Sequence, residues 1–328
     1  MIHELDINNN TLVDKINSFL KENISSDYMQ SIQWHNVRNE KNKYFLYFEH
    51  KDKIIWTCNL LEKSKNNEKY LYAPRGPVLN FNNKDEIELF LSNISNWMNE
   101  KGYSKLVINP YINFDTILNI PKKYNYVITK KNDYGSLHDS CKLAIMDIVL
   151  DENELISKIP SKFRQNTRRS YRKGLINKIS NKIDFENFYK LYIETSVRHD
   201  FRPHDIDYFK KIYSEFKDKL IFLEVWYNDI PLAMSIDIIY KDKLIYLYGV
   251  SSTNNRNLLG MYNLQWEAIK YCINHNILKY DFGGVFCEEG DIQNKDYGLY
   301  NFKKGYCYNG FIDIVPDITF NFGGDKSW

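Results

Sequence analysis

The sequence predicts a mixed α/β chain made of two similar domains, and three observations carry that expectation. Its 328 residues suit two domains of ordinary size. The hydrophobic pattern switches more than once between a helical period and runs of aromatic and β-branched residues. The same order (helix, brief turn, short strand) closes both halves, first at Lys105-Leu106-Val107-Ile108-Asn109-Pro110 and again at Leu278-Lys279-Tyr280-Asp281-Phe282-Gly283-Gly284. A parallel strand reached through a crossover helix needs this βαβ spacing, so one similar α/β unit is expected in each half, with a cleft between or beside them.

In chain order, Leu12, Val13, Ile16, Phe19 and Leu20 predict a helix over 11–23 capped by Asn10 or Thr11. Met29, Ile32, Gln33 and Val37 extend the helical period into a second helix from Ser26 to Arg38. Strands follow at 43–49, 53–61 and 69–73, then a helix over 85–101 with Ile87, Phe90, Leu91, Ile94, Trp97 and Met98 on one side and Gly102 as its stop. The second half predicts helices over 184–198 and 203–216, strands at 220–226, 232–240 and 243–250, and a helix over 258–275.

The formal net charge of +2 excludes a protein coated in positive charge, so any polyanion site must be local. Aromatic residues make up 16% of the chain, enough for a sizeable core. Cys58, Cys141, Cys272, Cys287 and Cys307 are scattered and form no CxxC pair, which argues against a disulfide framework or a zinc ribbon. The N-terminus has neither the basic nor the apolar region of a signal peptide, and no run has the apolar length of a membrane span. The expectation is a soluble, cytoplasmic protein.

Charge is most asymmetric between the halves. From Leu155 to Ile183 there is no acid, while Lys158, Lys162, Arg164, Arg168, Arg169, Arg172, Lys173, Lys178 and Lys182 are basic. On a helix over 161–173, Arg164, Arg168 and Arg172 form one stripe and Lys162, Arg169 and Lys173 an adjacent one, with Phe163 and Tyr171 available to pack beneath. Two such stripes suit a phosphate backbone, and equally a solvated helix face.

Near the C-terminus, Gly298-Leu299-Tyr300-Asn301-Phe302-Lys303-Lys304-Gly305-Tyr306 sets two lysines between an aromatic residue and a glycine. A lysine so flanked suits a desolvated cleft that receives an anion or a developing oxyanion; the plainer reading is the exposed end of a strand or helix. Pro74-Arg75-Gly76-Pro77 reads as a rigid turn displaying an arginine, for an anionic or amide ligand or as a plain surface turn. His199-Asp200-Phe201-Arg202-Pro203-His204 lacks a familiar metal-ligand spacing. Walker loop, nucleophile elbow and dinucleotide fingerprint are missing, so no covalent nucleophile is signalled.

Five motifs in register resemble the FemABX peptidoglycan aminoacyltransferases. They are Gln30-Ser31-Ile32-Gln33-Trp34 leading to Arg38, Tyr72-Ala73-Pro74-Arg75-Gly76-Pro77-Val78, Ser161-Lys162-Phe163-Arg164-Gln165-Asn166-Thr167-Arg168-Arg169, Tyr280-Asp281-Phe282-Gly283-Gly284, and the Phe302-Lys303-Lys304-Gly305 stretch. The resemblance spans nearly the whole chain and implies two tandem GNAT-like acyltransferase domains with mixed sheets. Domain 1 would be 1–150, completed by 316–328, and bind the precursor. Domain 2 would be 151–315, with the tRNA-binding and catalytic motifs. The implied reaction moves an amino acid from aminoacyl-tRNA, as co-substrate and without a further cofactor, to an amine of the precursor's stem peptide. The acceptor would be UDP-MurNAc-pentapeptide or a lipid-linked precursor; the latter would allow peripheral membrane contact.

By the same resemblance Lys303 would stabilise negative charge in the tetrahedral intermediate. Lys162, Arg164, Arg168, Arg169, Arg172 and Lys173 would hold tRNA phosphates. Arg38 matches a position, usually lysine, that contacts the precursor's phosphates. Arg202 or His204, preceding Tyr208, matches a second such position, and the register between them stays open. Tyr72, Arg75, Asn109 and Phe302, in or beside the matched motifs, are further candidates for substrate contact. Two departures stand out: Asn109-Pro110 replaces an Asp-Pro, removing a carboxylate otherwise assigned to positioning the amine, and no long heptad pair lies between Ile183 and Leu220. Asp317 lies near the family's C-terminal acidic position, with an offset of one residue open. The second departure favours the armless type, which acts on the nucleotide-linked precursor.

Three rivals remain at this point. A CoA-dependent N-acyltransferase is disfavoured, because Asn257-Leu258-Leu259-Gly260-Met261-Tyr262 puts a tyrosine where a pyrophosphate loop needs a second small residue. A non-catalytic nucleic-acid-binding protein would leave the repeated unit and the Phe-Lys-Lys-Gly stretch unexplained. A tRNA-dependent enzyme acting on a natural-product peptide stays open.

Overall fold

The computed structural model describes residues 2–113, 120–129 and 142–323. Contacts divide the chain into two compact units, Met1–Cys141 with Asp313–Trp328, and Lys142–Ile312.

The first unit contains β1 (Ile2–Glu4), α1 (Asn10–Glu22), α2 (Ile32–Val37), β2 (Lys43–His50), β3 (Lys53–Lys65), β4 (Glu68–Arg75), α3 (Lys84–Lys101), β5 (Lys105–Pro110), β6 (Tyr126–Thr129) and, from the end of the chain, β14 (Asp317–Asn321). Its sheet runs β1-β2-β3-β4-β5-β14-β6. Only β4 and β5 are parallel, and α3 connects them. Alternation along the strands sends Leu46 to one face and Phe45 to the other. Leu46, Trp56, Leu60, Leu71, Leu106 and Ile108 pack with the apolar side of α3, whereas Phe45, Tyr47 and Val78 pack with Ile16, Leu20 and Ile32.

The second unit contains β7 (Lys142–Asp147), α4 (Glu152–Lys158), α5 (Ser161–Tyr171), β8 (Ile176–Ser180), α6 (Phe185–His199), α7 (Ile206–Phe216), β9 (Leu220–Tyr227), β10 (Ile230–Tyr240), β11 (Lys243–Ser251), α8 (Gly260–Asn274), β12 (Lys279–Gly284), α9 (Tyr297–Tyr306) and β13 (Ile312–Asp313). The sheet order is β13-β7-β12-β11-β10-β9-β8. Here too the parallel pair, β11 and β12, is joined by a helix, α8. In each sheet an antiparallel strand from elsewhere in the sequence flanks the second parallel strand: β14 beside β5, and β7 beside β12.

Several expectations need correction. The single helix from Ser26 is replaced by a 3₁₀ turn over Tyr28–Gln30 and the short α2, separated by Ser31 in an extended conformation. The Asp27 and Ser31 side chains each accept a backbone N–H, so two caps outcompete one continuous helix. Of the two plain readings of Phe302-Lys303, the strand end is wrong: the motif is the last turn of α9. The Pro-Arg-Gly-Pro turn displays no arginine, because Arg75 is 2% exposed.

Among the described residues, Cys58, Cys272, Cys287 and Cys307 are buried free thiols; Cys141 lies outside them. No helix among them is long and apolar enough to cross a membrane.

Candidate active site

The parallel pairing of β11 with β12 covers only Lys243–Ile245 against Lys279–Asp281. Beyond it the ends of the two strands are not bonded to each other, and Phe282-Gly283-Gly284 lies in that gap. Gly283 has φ +80°, a conformation open to glycine at little cost. Lys303 reaches this strand end from α9. Its Nζ donates to the Gly284 carbonyl at 2.6 Å, and the residue is only 7% exposed. Burial lowers its pKa to about 8, with the nearby charge of Asp281 working against the fall. Asp281 is itself held in place, accepting from the Gly283 N–H at 2.8 Å. The next residue, Lys304, points outward to an ion pair with Glu289.

An aromatic cluster fixes α9. Phe163 of α5 lies 5.6 Å from Tyr262, 6.3 Å from Phe302 and 5.4 Å from Tyr306, measured between ring centres. Phe302 therefore packs here, half-buried. A Cβ on Gly305 would fall 2.0 Å from the Phe163 ring, so the glycine after the two lysines makes room for α5. Tyr262, the residue that spoils a pyrophosphate loop, fills the same cluster.

The cations of α5 line its outer side. Lys162, Arg168, Arg169 and Arg172 are exposed, and Arg164 and Lys173 are half-buried. Arg164 donates to the Ser157 carbonyl at 2.9 Å. Among the described residues no carboxylate pairs with Lys162, Arg168, Arg169, Arg172 or Lys173. Phe163 packs beneath as expected; Tyr171 instead stays at the surface, its hydroxyl donating to Glu267 at 2.5 Å.

In the α6–α7 connection Arg202 and His204 are exposed. His204 stacks on buried Tyr208 with ring centres 4.0 Å apart, and Tyr208 accepts a hydrogen bond from the Tyr248 hydroxyl at 3.1 Å. Tyr248 was missed in the sequence because its strand reads as ordinary core; the alternation of Tyr246 and Tyr248 is the signal it left. Arg202 and His204 are thus both at the surface, and only His204 lies on the tyrosine pair. His199 accepts from the Arg198 guanidinium at 3.3 Å. Burial lowers its pKa, helped by the charges of Arg198 and Arg256.

In the first unit Arg38 ends α2 and binds Glu40 with both arms of its guanidinium; Lys63 reaches the same carboxylate at 2.9 Å. Burial would raise the Glu40 pKa, but Arg38 and Lys63 outweigh it and hold it at about 2. Lys43 donates to the carbonyls of His35 and Arg38 at 2.6 and 2.8 Å, fixing the end of α2. Glu40 carried no motif, and only the fold reveals it. Tyr72 is buried within β4.

Arg75 donates to Asn109 Oδ1 at 2.6 Å, while Asn109 Nδ2 donates to the Val315 carbonyl at 3.1 Å. Asn109 thus joins β4 to the returning C-terminal segment, and both residues are interior. Gln30 Nε2 donates to the Pro74 carbonyl at 2.6 Å and its Oε1 accepts from the Asn59 N–H at 2.8 Å. A Cβ on Gly76 would collide with that amide at 2.4 Å. The Gln-x-x-x-Trp and Pro-Arg-Gly-Pro motifs are therefore two sides of one packing contact.

Two mixed sheets, each with one helix-linked parallel pair, define a tandem acyltransferase fold of the GNAT type. A tandem GNAT protein from the clavulanic acid biosynthesis pathway superposes over 99% of both chains with a TM-score of 0.53 at 8% identity. The chain belongs to the FemAB family, whose sequence profile matches residues 13–228 and 224–315. It is 22% identical to the UDP-N-acetylmuramoylpentapeptide-lysine N(6)-alanyltransferase of Weissella viridescens, across 95% of this chain and 96% of that one. The crystal structure of FemX superposes on 98% of this chain and 97% of its own, with a TM-score of 0.83 at 18% identity. These structural likenesses concern the fold.

Proposed function

We propose that the chain is an aminoacyltransferase that moves an amino acid from aminoacyl-tRNA to an amine of a peptidoglycan precursor's stem peptide. The observation that carries this reading is Lys303, a buried ammonium held at the open end of a parallel strand pair beside a helix whose exposed cations pair with no carboxylate among the described residues. An aminoacyl ester is already activated, so a positioned neutral amine attacks its carbonyl without an enzyme nucleophile. The C–N bond forms, negative charge gathers on the carbonyl oxygen, and the ester C–O bond then breaks. The proton lost by the amine ends on the ribose hydroxyl that leaves. Lys303 is suited to stabilise the oxyanion, since a fixed cation in a desolvated site acts far more strongly than one in water.

The relative from Weissella viridescens, aligned over nearly its full length, supports the acceptor: a lysine-containing UDP-N-acetylmuramoyl pentapeptide. Arg38 is suited to its phosphates. Residues 183–220 also favour the nucleotide-linked form. They fold as α6 and α7, packed together through Phe188, Tyr192 and Phe209, instead of extending as a coiled-coil arm. Tyr262, packed against Phe163 and Phe302, counts against CoA.

Incubation with a panel of charged tRNAs and UDP-MurNAc-pentapeptide should give a product heavier by one aminoacyl residue, read by mass. Acetyl transfer from acetyl-CoA without tRNA would overturn the proposal.

A further inference from the structure

A groove in the second unit lies between the edge strand β8 and the C-terminal half of α8. It encloses about 300 Å³ and is lined by Ile179, Glu267, Lys270, Tyr271, Asn274 and His275. Tyr271 and His275 stack one helical turn apart, their ring centres separated by 3.9 Å. Glu267, the acid in this lining, already receives three donors: the Tyr171 hydroxyl at 2.5 Å, Asn177 Nδ2 at 2.9 Å and Lys270 Nζ at 2.8 Å. Asn274 and His275 are exposed.

The position of the groove is informative. Helix α5 is anchored at its N-terminal end to the Lys303 helix through Phe163 and Gly305. At its C-terminal end Tyr171 binds Glu267 in the groove wall, and Lys270 Nζ lies 5.0 Å from the Tyr171 ring centre. Arg164, Arg168 and Tyr171 share one side of α5, so a line of cations runs from the Lys303 helix to the groove. Eleven helical residues span about 16 Å, more than the roughly 10 Å of a stacked trinucleotide at about 3.4 Å per nucleotide. A strand following these cations would arrive at an aromatic pair beside Lys270, with Arg172 and Lys173 next in sequence after Tyr171.

We propose that this groove takes an unpaired nucleotide of the donor tRNA, its base against the Tyr271–His275 pair and its phosphates on the adjoining cations. The proposal rests on the aminoacyl-tRNA reading above. Local charge selects a polyanion over an apolar peptide or a second copy of the chain. The pair of half-buried Tyr271 and exposed His275 gives a base what cations alone do not, a stacking surface that tolerates any sequence.

The test uses the full chain carrying His275→Ala or Ile179→Glu, with two donors: an aminoacylated acceptor-stem minihelix and an aminoacylated CCA trinucleotide too short to reach the groove. Minihelix KM should rise, by roughly fivefold to a hundredfold where stacking is lost, at unchanged kcat. Trinucleotide KM should stay the same. Unaltered minihelix KM in both variants, or equal changes for both donors, would overturn the proposal. Direct titration with uncharged minihelix separates the two readings. If wild-type protein binds it and the variants bind it more weakly, the groove stands even where no transfer occurs; if wild-type transfers but the variants bind unchanged, only the groove fails.

Discussion

The ring of Phe163 occupies the volume that a side chain at Gly305 would need, since a Cβ there would sit 2.0 Å from it. The basic helix and the lysine helix are therefore one packed object. Gly305→Ala should force the ring out of its contacts with Tyr262, Phe302 and Tyr306, at a cost of about 1–3 kcal/mol. Because α9 also carries Lys303, kcat should fall together with stability. Pairing Gly305→Ala with Phe163→Leu should recover part of the unfolding free energy measured in urea; strictly additive losses would show that the two sites do not meet.

Lys303 gives an activity prediction with a defined sign. Burial lowers its pKa to about 8, so the ammonium predominates at pH 7 and is lost as pH rises through 8. A step that needs the cation should slow above pH 8, even though the acceptor amine becomes a better nucleophile there. Lys303→Arg keeps the charge and should move this alkaline limb of single-turnover kcat to higher pH, at a lower absolute rate because the guanidinium has another shape. Lys303→Ala should abolish the limb. An identical limb in all three proteins would assign it to the substrate.

How much of this was legible in the sequence depends on range. The face of α3 from Ile87 to Met98 was readable because a helical period is a local signal, and the two parallel pairs because each is announced by helix, turn and strand. The break at Ser31 was hidden by an apolar spacing that fits a helix while two side-chain caps choose otherwise. The burial of Arg75 was invisible because its partner Asn109 lies 34 residues away and is held in turn by Val315, from the far end of the chain. Lys303 and Lys304 are identical neighbours in sequence; only the pitch of α9 sends one inward and the other to solvent.

Glu40 draws Arg38 away from any phosphate it would meet. Replacing it by Gln should leave the guanidinium more available and lower KM for the nucleotide-linked precursor severalfold at low salt. The same change should lower stability by on the order of 2 kcal/mol at pH 7, after allowing for solvent screening. The folded pKa of about 2 lies below the ordinary value of 4.5. This stabilisation is thus fully present above pH 4.5 and fades as pH falls toward 2. Urea titrations of wild type and Glu40→Gln should therefore converge in acid; a constant gap would remove the ion pair as its source.

Asp237, on β10 in the second unit, was singled out by no motif. It is fully buried, and burial pushes its carboxyl well above the usual range, with the nearby Ser235 hydroxyl pulling the other way. Its carboxyl lies near Tyr246, Cys272 and Tyr280. The folded pKa is raised, so above about pH 4 the unfolded chain releases a proton that the folded chain keeps. Stability from this group must then fall as pH rises, until the folded-state carboxyl ionises as well. Asp237→Asn cannot ionise in either state. Its unfolding free energy relative to wild type should accordingly rise from pH 4 toward neutrality and then level off, whatever constant offset the amide introduces. Parallel curves across that range would mean that Asp237 is ionised in the folded protein, and that a cation or bound water compensates it in the interior.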